Sequence, residues 1–254
     1  AKTNLVKVSN EVVLAYGRAG TFPDYDDRVF RSTDGGQTWN DLGEIMNVSA
    51  YSGYLAFTVT SSLNIAATDG AGNMFHSNDA GLNWLQVFSA PGGVLPSYLS
   101  SAVPFFADAQ TGYFAYGPGF IIKTTDAGVS WFQVSSGSGN SINDMDRFVN
   151  GDIIAVGENG TILKKVNGSS RWSIQTSVTQ TNFKAIQVIG SSDAVAVDDA
   201  GKIFISTDGG INWSGASSTP QDLLTAEDLD FTTLQDGWVI GQGYTSGALY
   251  HTTN

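Results

Sequence analysis

An eight-residue motif recurs along this chain at intervals of 41 to 47 residues, and this repeat limits the possible folds more than any other feature. Its intact form reads Ser or Thr, any residue, Asp, Gly or Ala, Gly, two variable residues and Trp. A decayed copy occupies residues 165–172, and a partial copy starts at residue 252. A period of this length is typical of one supersecondary unit repeated along a chain, so we expect a repeat architecture. The intact copies are residues 32–39, 77–84, 124–131 and 206–213.

The motif has a local physical explanation. An Asp or Asn side-chain oxygen can accept hydrogen bonds from the main-chain N–H groups of a tight turn, and Gly supplies the positive φ that such a turn needs. We expect the Trp that follows to pack inward, and five of the six tryptophans lie at this position. The residues to which we assign this structural role are Asp34, Trp39, Asp79, Trp84, Asp126, Trp131, Asn167, Trp172, Asp208 and Trp213.

This motif resembles the Asp-box, or bacterial neuraminidase (BNR), repeat. The resemblance implies a β-propeller in which each box links the third and fourth strands of a blade. Apolar, β-rich runs precede the boxes at the expected places, for example residues 152–157 and 161–163. The predicted fold is therefore all-β, a single β-propeller over residues 1–254 with about six four-stranded antiparallel blades, or seven if the chain is a fragment. The approximate blades are residues 1–44, 45–90, 91–136, 137–177, 178–217 and 218–254.

The last predicted blade has no outer strand, which leaves two ways to use the N-terminal residues. Residues 1–8 could complete the interrupted box, with Leu5 in the place of Trp. Alternatively, residues 5–8 form the inner strand of the first blade, in a hairpin with residues 12–15. We favour the second arrangement, because the first blade otherwise lacks an inner strand.

Composition excludes several classes of partner and site. Twelve Lys and Arg against 24 Asp and Glu give a net charge of −12, which argues against nucleic acid as a partner. The chain has no Cys and two His, so we expect no disulfide, no metal site and no cofactor. No apolar run has the length of a membrane span, so we expect no membrane insertion.

Location is suggested by a compositional resemblance alone. Many Ser, Thr, Asn and Gly with few Lys resemble secreted bacterial β-proteins. We therefore expect an extracellular, cell-surface or periplasmic protein, and the chain could be part of a larger multidomain protein.

A basic residue stands just before each box. We interpret it as structural, a cation laid over a blade surface near an aromatic ring. The residues are Arg31, His76, Lys123, Lys164 and His251.

The propeller resemblance implies that ligands bind on the face opposite the boxes. Acidic turns and a long loop over residues 17–28 are expected there, so we hypothesise a basic protein partner or a cation. Aromatic residues in the same loops could instead stack on a sugar ring. The competing interpretation is that the acids form turns and the aromatics pack within loops. The candidate binding residues for a protein or glycan are Phe22, Asp24, Tyr25, Asp26, Asp27, Asp69, Tyr98, Glu158, Asp198, Asp199 and Tyr244.

Related enzymes need sets of residues that this chain does not visibly supply. Sialidases resemble it in their Asp boxes, but they use an Arg triad and a Tyr nucleophile, and the five Arg here are poorly distributed for that role. Asp-box xyloglucanases use a carboxylate pair, and nothing in this sequence singles out two acids. We therefore expect no catalytic residues, although a glycoside hydrolase with a carboxylate pair on the face opposite the boxes is the alternative.

A short second strand followed by Gly, as at residues 155–160 and 237–241, most resembles the propellers of photosystem II assembly factors and their bacterial relatives. Those proteins are non-catalytic scaffolds described by a basic patch, which this acidic chain does not match. We do not transfer the photosynthetic role. We therefore predict a secreted or surface-associated propeller with a binding or scaffold function. It would bind a protein or a glycan, and so could be carbohydrate-binding, through the face opposite the boxes.

Overall fold

The computed structural model describes residues 5–21, 24–43, 55–61, 63–69, 72–89, 104–216, 223–243 and 246–253. In these ranges the chain forms 23 β-strands in six antiparallel sheets, together with one 3₁₀ turn at Glu158–Gly160. The all-β prediction is therefore confirmed. None of the described residues belongs to a helix that is long and apolar enough to cross a membrane.

The chain divides into two compact units. Unit 1 comprises Ala1–Tyr116 and Ile121–Val134, and unit 2 comprises Gly117–Phe120 and Ser135–Asn254. In every sheet the strands pair in chain order, and we call them the inner, second, third and outer strands.

Three sheets belong to unit 1, apart from the first residue of β11 and the last residue of β12. Sheet one contains β1 (Leu5–Lys7), β2 (Val13–Thr21), β3 (Asp24–Ser32) and β4 (Asn40–Asp41). Sheet two contains β5 (Leu55–Val59), β6 (Ile65–Asp69), β7 (Met74–Ser77) and β8 (Leu85–Phe88). Sheet three contains β9 (Phe105–Phe106), β10 (Gly112–Ala115), β11 (Phe120–Thr124) and β12 (Phe132–Ser135).

The other three sheets belong to unit 2. Sheet four contains β13 (Ile142–Arg147), β14 (Ile153–Gly157), β15 (Ile162–Lys165) and β16 (Ser173–Ile174). Sheet five contains β17 (Phe183–Ile189), β18 (Asp193–Asp198), β19 (Ile203–Ser206) and β20 (Ser214–Gly215). Sheet six contains β21 (Leu223–Phe231), β22 (Gly237–Gly243) and β23 (Gly247–Thr252).

The strand counts agree with the prediction at both ends of the chain. Sheet six has three strands among the described residues, as expected for a last blade without an outer strand. At the other end, Leu5 pairs with Ala15 and Lys7 with Val13. Residues 5–7 are thus the inner strand of sheet one, which is the arrangement that we favour over completion of the interrupted box.

The core is built from second strands that are buried on both faces. All five residues of β6 and of β14 are buried. Apolar clusters join side chains of adjacent sheets, and one in unit 2 includes Phe148 and Ile154 of sheet four with Phe183 and Phe204 of sheet five. Strands enclosed on both faces have continuous runs of Val, Ile and Ala instead of alternating apolar and polar residues, which explains the short apolar runs in the sequence.

Each intact box is a turn closed by its own side chains, as sheet five shows. Ser206 Oγ accepts the Gly210 N–H at 3.0 Å and donates to Asp208 Oδ1 at 3.0 Å. Asp208 Oδ1 also accepts the Asn212 N–H at 2.9 Å. Trp213 Nε1 donates to the Gly210 carbonyl at 3.1 Å. The same bonds recur around Asp34, Asp79 and Asp126, and this geometry agrees with the structural role that we assign to the intact boxes.

These bonds stabilise the ionised form of the box aspartates. Hydrogen bonds from Thr38 hold the pKa of Asp34 at about 2, and those from Asn212 hold the pKa of Asp208 at about 2. A carboxylate that accepts several hydrogen bonds is harder to protonate. The box aspartates are therefore charged wherever the protein is folded at ordinary pH.

The box tryptophans differ in burial, which corrects the expectation that all of them pack inward. Trp172 and Trp213 are buried, but Trp39 is 39% exposed. Trp84 packs on Phe57 and Trp131 packs on Phe106, with ring centroids 5.7 and 5.9 Å apart. The inner strand of sheet one reads Leu-Val-Lys and offers no aromatic ring of this kind to the Trp39 indole.

In the decayed copy in sheet four, a carboxylate from outside the motif accepts the main-chain N–H of the turn. The Asn167 N–H donates to Asp152 Oδ1 at 2.9 Å, and Asn167 Nδ2 donates to the Asn150 carbonyl at 3.0 Å. Asp152 comes from the turn between β13 and β14, and its second oxygen lies 3.2 Å from Lys164 Nζ. The geometry of Asn167 agrees with a structural role, with different partners from those in the intact boxes.

We expect Asp126→Ala to lower the free energy of unfolding by about 1–2 kcal/mol near neutral pH, because it removes the acceptor of the Ser130 N–H and of the Thr124 hydroxyl. Burial opposes ionisation, yet these hydrogen bonds prevail and lower the pKa of Asp126. Its contribution is therefore present above about pH 4 and is lost as pH falls through the lowered pKa.

Denaturant unfolding of the variant and the wild type at several pH values measures this contribution. Thr125→Ala is the control, since Thr125 is the exposed neighbour in the same turn. Equal effects of the two substitutions would contradict the structural role of the box.

Candidate functional site

The sheet edge opposite the boxes, which we call the turn edge, is best defined in unit 2. There each second strand turns into the third strand, at Glu158–Gly160 in sheet four and at residues 198–202 in sheet five. Two connectors, residues 136–141 and 175–182, lead from an outer strand to the inner strand of the next sheet along this edge. Glu158, Asp198 and Asp199, three of the candidate binding residues, lie here.

Both connectors contain the same serine-based turn. Ser136 Oγ donates to the Ser138 carbonyl at 2.9 Å, and Ser177 Oγ donates to the Thr179 carbonyl at 2.9 Å. Short hydroxyl side chains commonly bond to main-chain groups two residues away. Each connector is thereby fixed in one conformation before it enters the inner strand. We did not predict this turn from the sequence. Its sequence signal is a Ser-x-Ser or Ser-x-Thr pattern before these two inner strands.

A glycine from the preceding turn packs against each connector. A Cβ placed on Gly119 would lie 2.4 Å from the Ser138 oxygen, and one on Gly160 would lie 2.0 Å from the Thr179 oxygen. Both glycines also have positive φ, 76° and 67°. Only glycine fits at such positions, because any side chain would collide with the main chain of the connector. The turns and the connectors of unit 2 thus form one rigid edge.

A chain of side-chain amides runs along this edge. Asn159 Nδ2 donates to Asn140 Oδ1 at 3.2 Å, and the Asn159 N–H donates to Asn182 Oδ1 at 3.0 Å. Asn182 Nδ2 in turn donates to Asp199 Oδ2 at 3.0 Å. We call Asn140, Glu158, Asn159, Asn182 and Asp199 the polar rim. All five residues are at least partly exposed, so the rim holds polar side chains at fixed positions facing solvent.

The carboxylate oxygens of two candidate acids accept hydrogen bonds from within the protein. Asp198 is 1% exposed, and its Oδ1 accepts the Lys202 N–H at 2.7 Å while its Oδ2 accepts the Thr181 hydroxyl at 2.6 Å. Asp69 in unit 1 is 4% exposed and accepts both the main-chain and the side-chain N–H of Asn73 at 2.8 Å. The geometry of both residues agrees with the turn-forming interpretation, which we had kept as the alternative to binding.

Glu158 and Asp199 differ from those two acids. The Glu158 N–H donates to the Ser141 carbonyl at 2.9 Å, and the Asp199 N–H donates to the Asn182 carbonyl at 2.8 Å. They therefore occupy equivalent positions in two successive sheets. Both remain partly exposed, so their carboxylates are accessible to a partner.

The remaining candidates are only partly described. Phe22, Tyr98 and Tyr244 lie outside the described residues. Asp24, Tyr25, Asp26 and Asp27 are described by their main chain alone, which belongs to β3. The register pairs residue 17 with 28 and residue 21 with 24, so the predicted long loop over residues 17–28 is wrong, and residues 17–21 and 24–28 continue the paired strands β2 and β3. Alternating small and polar residues in this stretch gave no apolar periodicity from which a strand could be read.

A second group of acids lies on the inner strands of unit 2. Asp144 Oδ2 accepts the Ile186 N–H at 2.8 Å, and Asp146 Oδ2 accepts the Val188 N–H at 2.7 Å. These bonds join the inner strands of sheets four and five, which belong to separate sheets. Sequence analysis did not select these two residues, although acids at alternate positions of a strand are a visible signal.

Burial shifts the pKa of both inner-strand acids upward. It raises the pKa of Asp144 to about 7, and it also raises the pKa of Asp146. A carboxyl group with such a pKa could serve as a general acid. In Asp144, however, Oδ1 accepts the Met145 N–H at 2.9 Å and Oδ2 accepts the Ile186 N–H, so both oxygens are used within the protein.

The basic residues before the boxes have structural contacts, as we predicted. Lys123 Nζ lies 5.9 Å from the centre of the Tyr113 ring. His251 stacks on Trp238 with ring centroids 4.0 Å apart. Arg31 Nε donates to the Ala80 carbonyl of the next box at 3.0 Å. Within the described residues no group of three or more His, Cys, Asp or Glu is arranged to hold a metal ion.

The repeated turn matches a known repeat. The model of the BNR/Asp-box repeat matches residues 30–41 and 204–214, which include two of the boxes described above. The chain carries BNR/Asp-box repeats and has a β-propeller fold. Among curated protein sequences, none matches this propeller.

Solved structures share the fold of this propeller at low sequence identity. One described as "YCF48 bound to D1 peptide" has a TM-score of 0.62 at 17% identity, covering 99% of this chain and 77% of the other. The Niastella koreensis GH74 enzyme has a TM-score of 0.73 at 15% identity, covering 94% of this chain and 44% of its own. The GH74 xyloglucanase from Xanthomonas campestris has a TM-score of 0.69 at 16% identity, covering 96% and 43%. The Asp-box propeller spans less than half of either GH74 enzyme.

We expect Asp144→Asn to stabilise the protein above neutral pH relative to the wild type. Because the pKa of Asp144 is raised on folding, the contribution of this residue to stability is greatest below about pH 4, where Asp144 is protonated in both states, and it is lost as pH rises through about 7. Asn can still accept the Ile186 N–H. Between pH 4 and pH 8 the stability difference should move in favour of the variant by about 2–4 kcal/mol.

The measurement is denaturant unfolding of both proteins across this pH range. Asp230→Asn is the control, since Asp230 is an exposed acid on the inner strand β21. A stability difference that does not vary with pH would show that the Asp144 carboxyl group titrates normally.

Proposed function

We propose that this propeller is a non-catalytic scaffold that binds a basic segment of a partner protein along the turn edge of unit 2. The observation that carries the proposal is the polar rim, where the hydrogen bonds from Asn159 to Asn182 and from Asn182 to Asp199 hold partly exposed side chains in place. A surface that is already ordered loses little conformational entropy when it binds, so more of the contact energy is available for affinity.

Charge supports a basic partner. Glu158 and Asp199 repeat the same position in adjacent sheets, and the whole chain carries a net charge of −12. Lys202, in the same turn as Asp199, lies with its Nζ 5.3 Å from the centre of the Phe204 ring. Complementary charge raises association rates and helps to select partners, and its effect weakens with salt.

Two structural neighbours are compatible with this role. One is described with a bound peptide, and another is described as a mitotic checkpoint complex, with a TM-score of 0.62 at 11% identity. At such identities they support only the statement that this fold serves in protein assemblies elsewhere.

We also propose an extracellular, cell-surface or periplasmic location, which fractionation of the source cells would test.

The proposal is tested with an array of synthetic peptides of graded charge, followed by affinity measurements in solution for the peptides that bind. Glu158→Gln combined with Asp199→Asn should weaken the binding of basic peptides about twofold to thirtyfold, since each of the two exposed ion pairs contributes about 0.2–1 kcal/mol. Added salt should reduce wild-type binding in the same direction.

Glu11→Gln combined with Asp193→Asn is the matched control. It removes the same charge at the opposite, box edge of the sheets and should leave the affinity unchanged. Asp24, Asp26 and Asp27 changed together to Asn test whether the β2–β3 hairpin contributes. Equal affinity of the wild type and the rim variant would contradict binding at the turn edge.

The same protein should be tested on a glycan array and with a panel of chromogenic glycosides. Glycan binding that the rim variant loses would replace the protein partner with a carbohydrate. Turnover abolished by Asp144→Asn or Asp146→Asn would favour a carboxylate-pair glycosidase, the alternative that the raised pKa values of these two acids allow.

A further inference from the structure

The chain contains three Asn-Gly dipeptides, at residues 150–151, 159–160 and 167–168. In this dipeptide the glycine nitrogen can attack the Asn side-chain carbonyl with little steric hindrance, because glycine has no side chain. All three pairs lie in unit 2 among the described residues. Since the local sequence chemistry is the same, differences in their reactivity must come from the folded structure.

The attacking nitrogen is hydrogen-bonded in two of the three pairs. The Gly151 N–H donates to the Phe148 carbonyl at 2.9 Å, and the Gly160 N–H donates to the Thr181 carbonyl at 2.7 Å. Gly160 is also buried beneath the connector. Gly168 is exposed, a Cβ there would meet nothing within 4 Å, and no described residue accepts its N–H. Of the three glycine nitrogens, only that of Gly168 can attack without first breaking a main-chain hydrogen bond.

The asparagine side chains show the same ranking. Asn150 Oδ1 accepts the Asp152 N–H at 2.9 Å and so closes its own turn. Asn159 is held in the amide chain of the polar rim and in a left-handed conformation, with φ 52°. Asn167 is exposed, and its side chain makes one hydrogen bond, from Nδ2 to the Asn150 carbonyl. A single exposed hydrogen bond restrains the carbonyl carbon of Asn167 weakly.

We propose that Asn167 is a site of spontaneous deamidation in the folded protein. The Gly168 nitrogen loses its proton and forms a bond to Cγ of Asn167, the bond from Cγ to Nδ2 breaks, and ammonia leaves with that proton. The product is a cyclic succinimide. Water then opens the ring at one of its two carbonyls and gives an aspartyl or an isoaspartyl residue. No oxidant, reductant or co-reactant other than water is needed.

The position of Asn167 gives the reaction a structural consequence. Asn167 stands where the four intact boxes carry Asp34, Asp79, Asp126 and Asp208, so the aspartyl product has the box acid in its usual place. The new carboxylate would lie beside Asp152, which accepts the Asn167 N–H and pairs with Lys164. The isoaspartyl product instead adds one methylene group to the main chain of the turn.

The test is incubation of the purified protein in mildly alkaline buffer, followed by proteolysis and mass spectrometry of the three Asn-Gly peptides. Asn167 should convert about fivefold to 150-fold faster than Asn150 or Asn159, because breaking the main-chain hydrogen bond of the glycine N–H at those sites costs about 1–3 kcal/mol. Asn167→Asp provides the reference for the aspartyl peptide, and isoaspartyl-specific methylation identifies the second product.

Two controls separate the folded structure from local sequence. In denaturant the three peptides should convert at similar rates, because the protecting bonds are gone. Asn167→Gln should abolish the fast phase in the folded protein and leave the slow sites unchanged. Equal rates at the three sites in the folded protein, or fastest conversion at Asn159, would overturn the proposal.

Discussion

The rest of this structure depends on one interaction, the hydrogen bond from a main-chain N–H group to a side-chain oxygen. The sheets are narrow and their outer strands are as short as two residues, so ladder hydrogen bonding ends after a few residues on every side. A buried N–H group without a partner is costly. Asp208 accepts such groups in a box, Asp198 accepts them at the turn edge, and Asp144 accepts one between inner strands.

This use of carboxylates sorts the acids of the chain by role. Asp198 and Asp69 resemble binding residues in the sequence, yet their oxygens are occupied inside turns. Glu158 and Asp199 sit in equivalent turns with their carboxylates partly exposed. A highly acidic chain can therefore present few acids that are both exposed and held by a rigid edge. This sorting underlies our choice of the polar rim over the other acidic turns.

Repetition also shows what happens where the motif decays. In sheet four the turn is closed by Asp152, a residue from a different turn, and the motif position is left to an exposed Asn. The fold tolerates the change because Trp172 remains buried and the outer strand still pairs with the third strand. The cost is chemical, since an Asn-Gly pair without protection of the glycine nitrogen is open to cyclisation. The closure of the turn by Asp152 and the exposure of the Asn167–Gly168 pair thus both result from the decay of the motif in sheet four.

The sequence by itself determined the all-β class and the repeat, because these follow from local turn chemistry and from short β-rich runs. The position of each box between a third and an outer strand was implied by the resemblance to the Asp-box repeat. It also favoured Leu5 as part of an inner strand, which the pairing with Ala15 confirms. Only the tertiary structure decided which carboxylates are occupied, as in Asp144 and Asp198, and which Gly nitrogen is unprotected. The carboxylate partners include groups 17 to 42 residues away in sequence, such as the Thr181 hydroxyl and the Ile186 N–H, which no local pattern places.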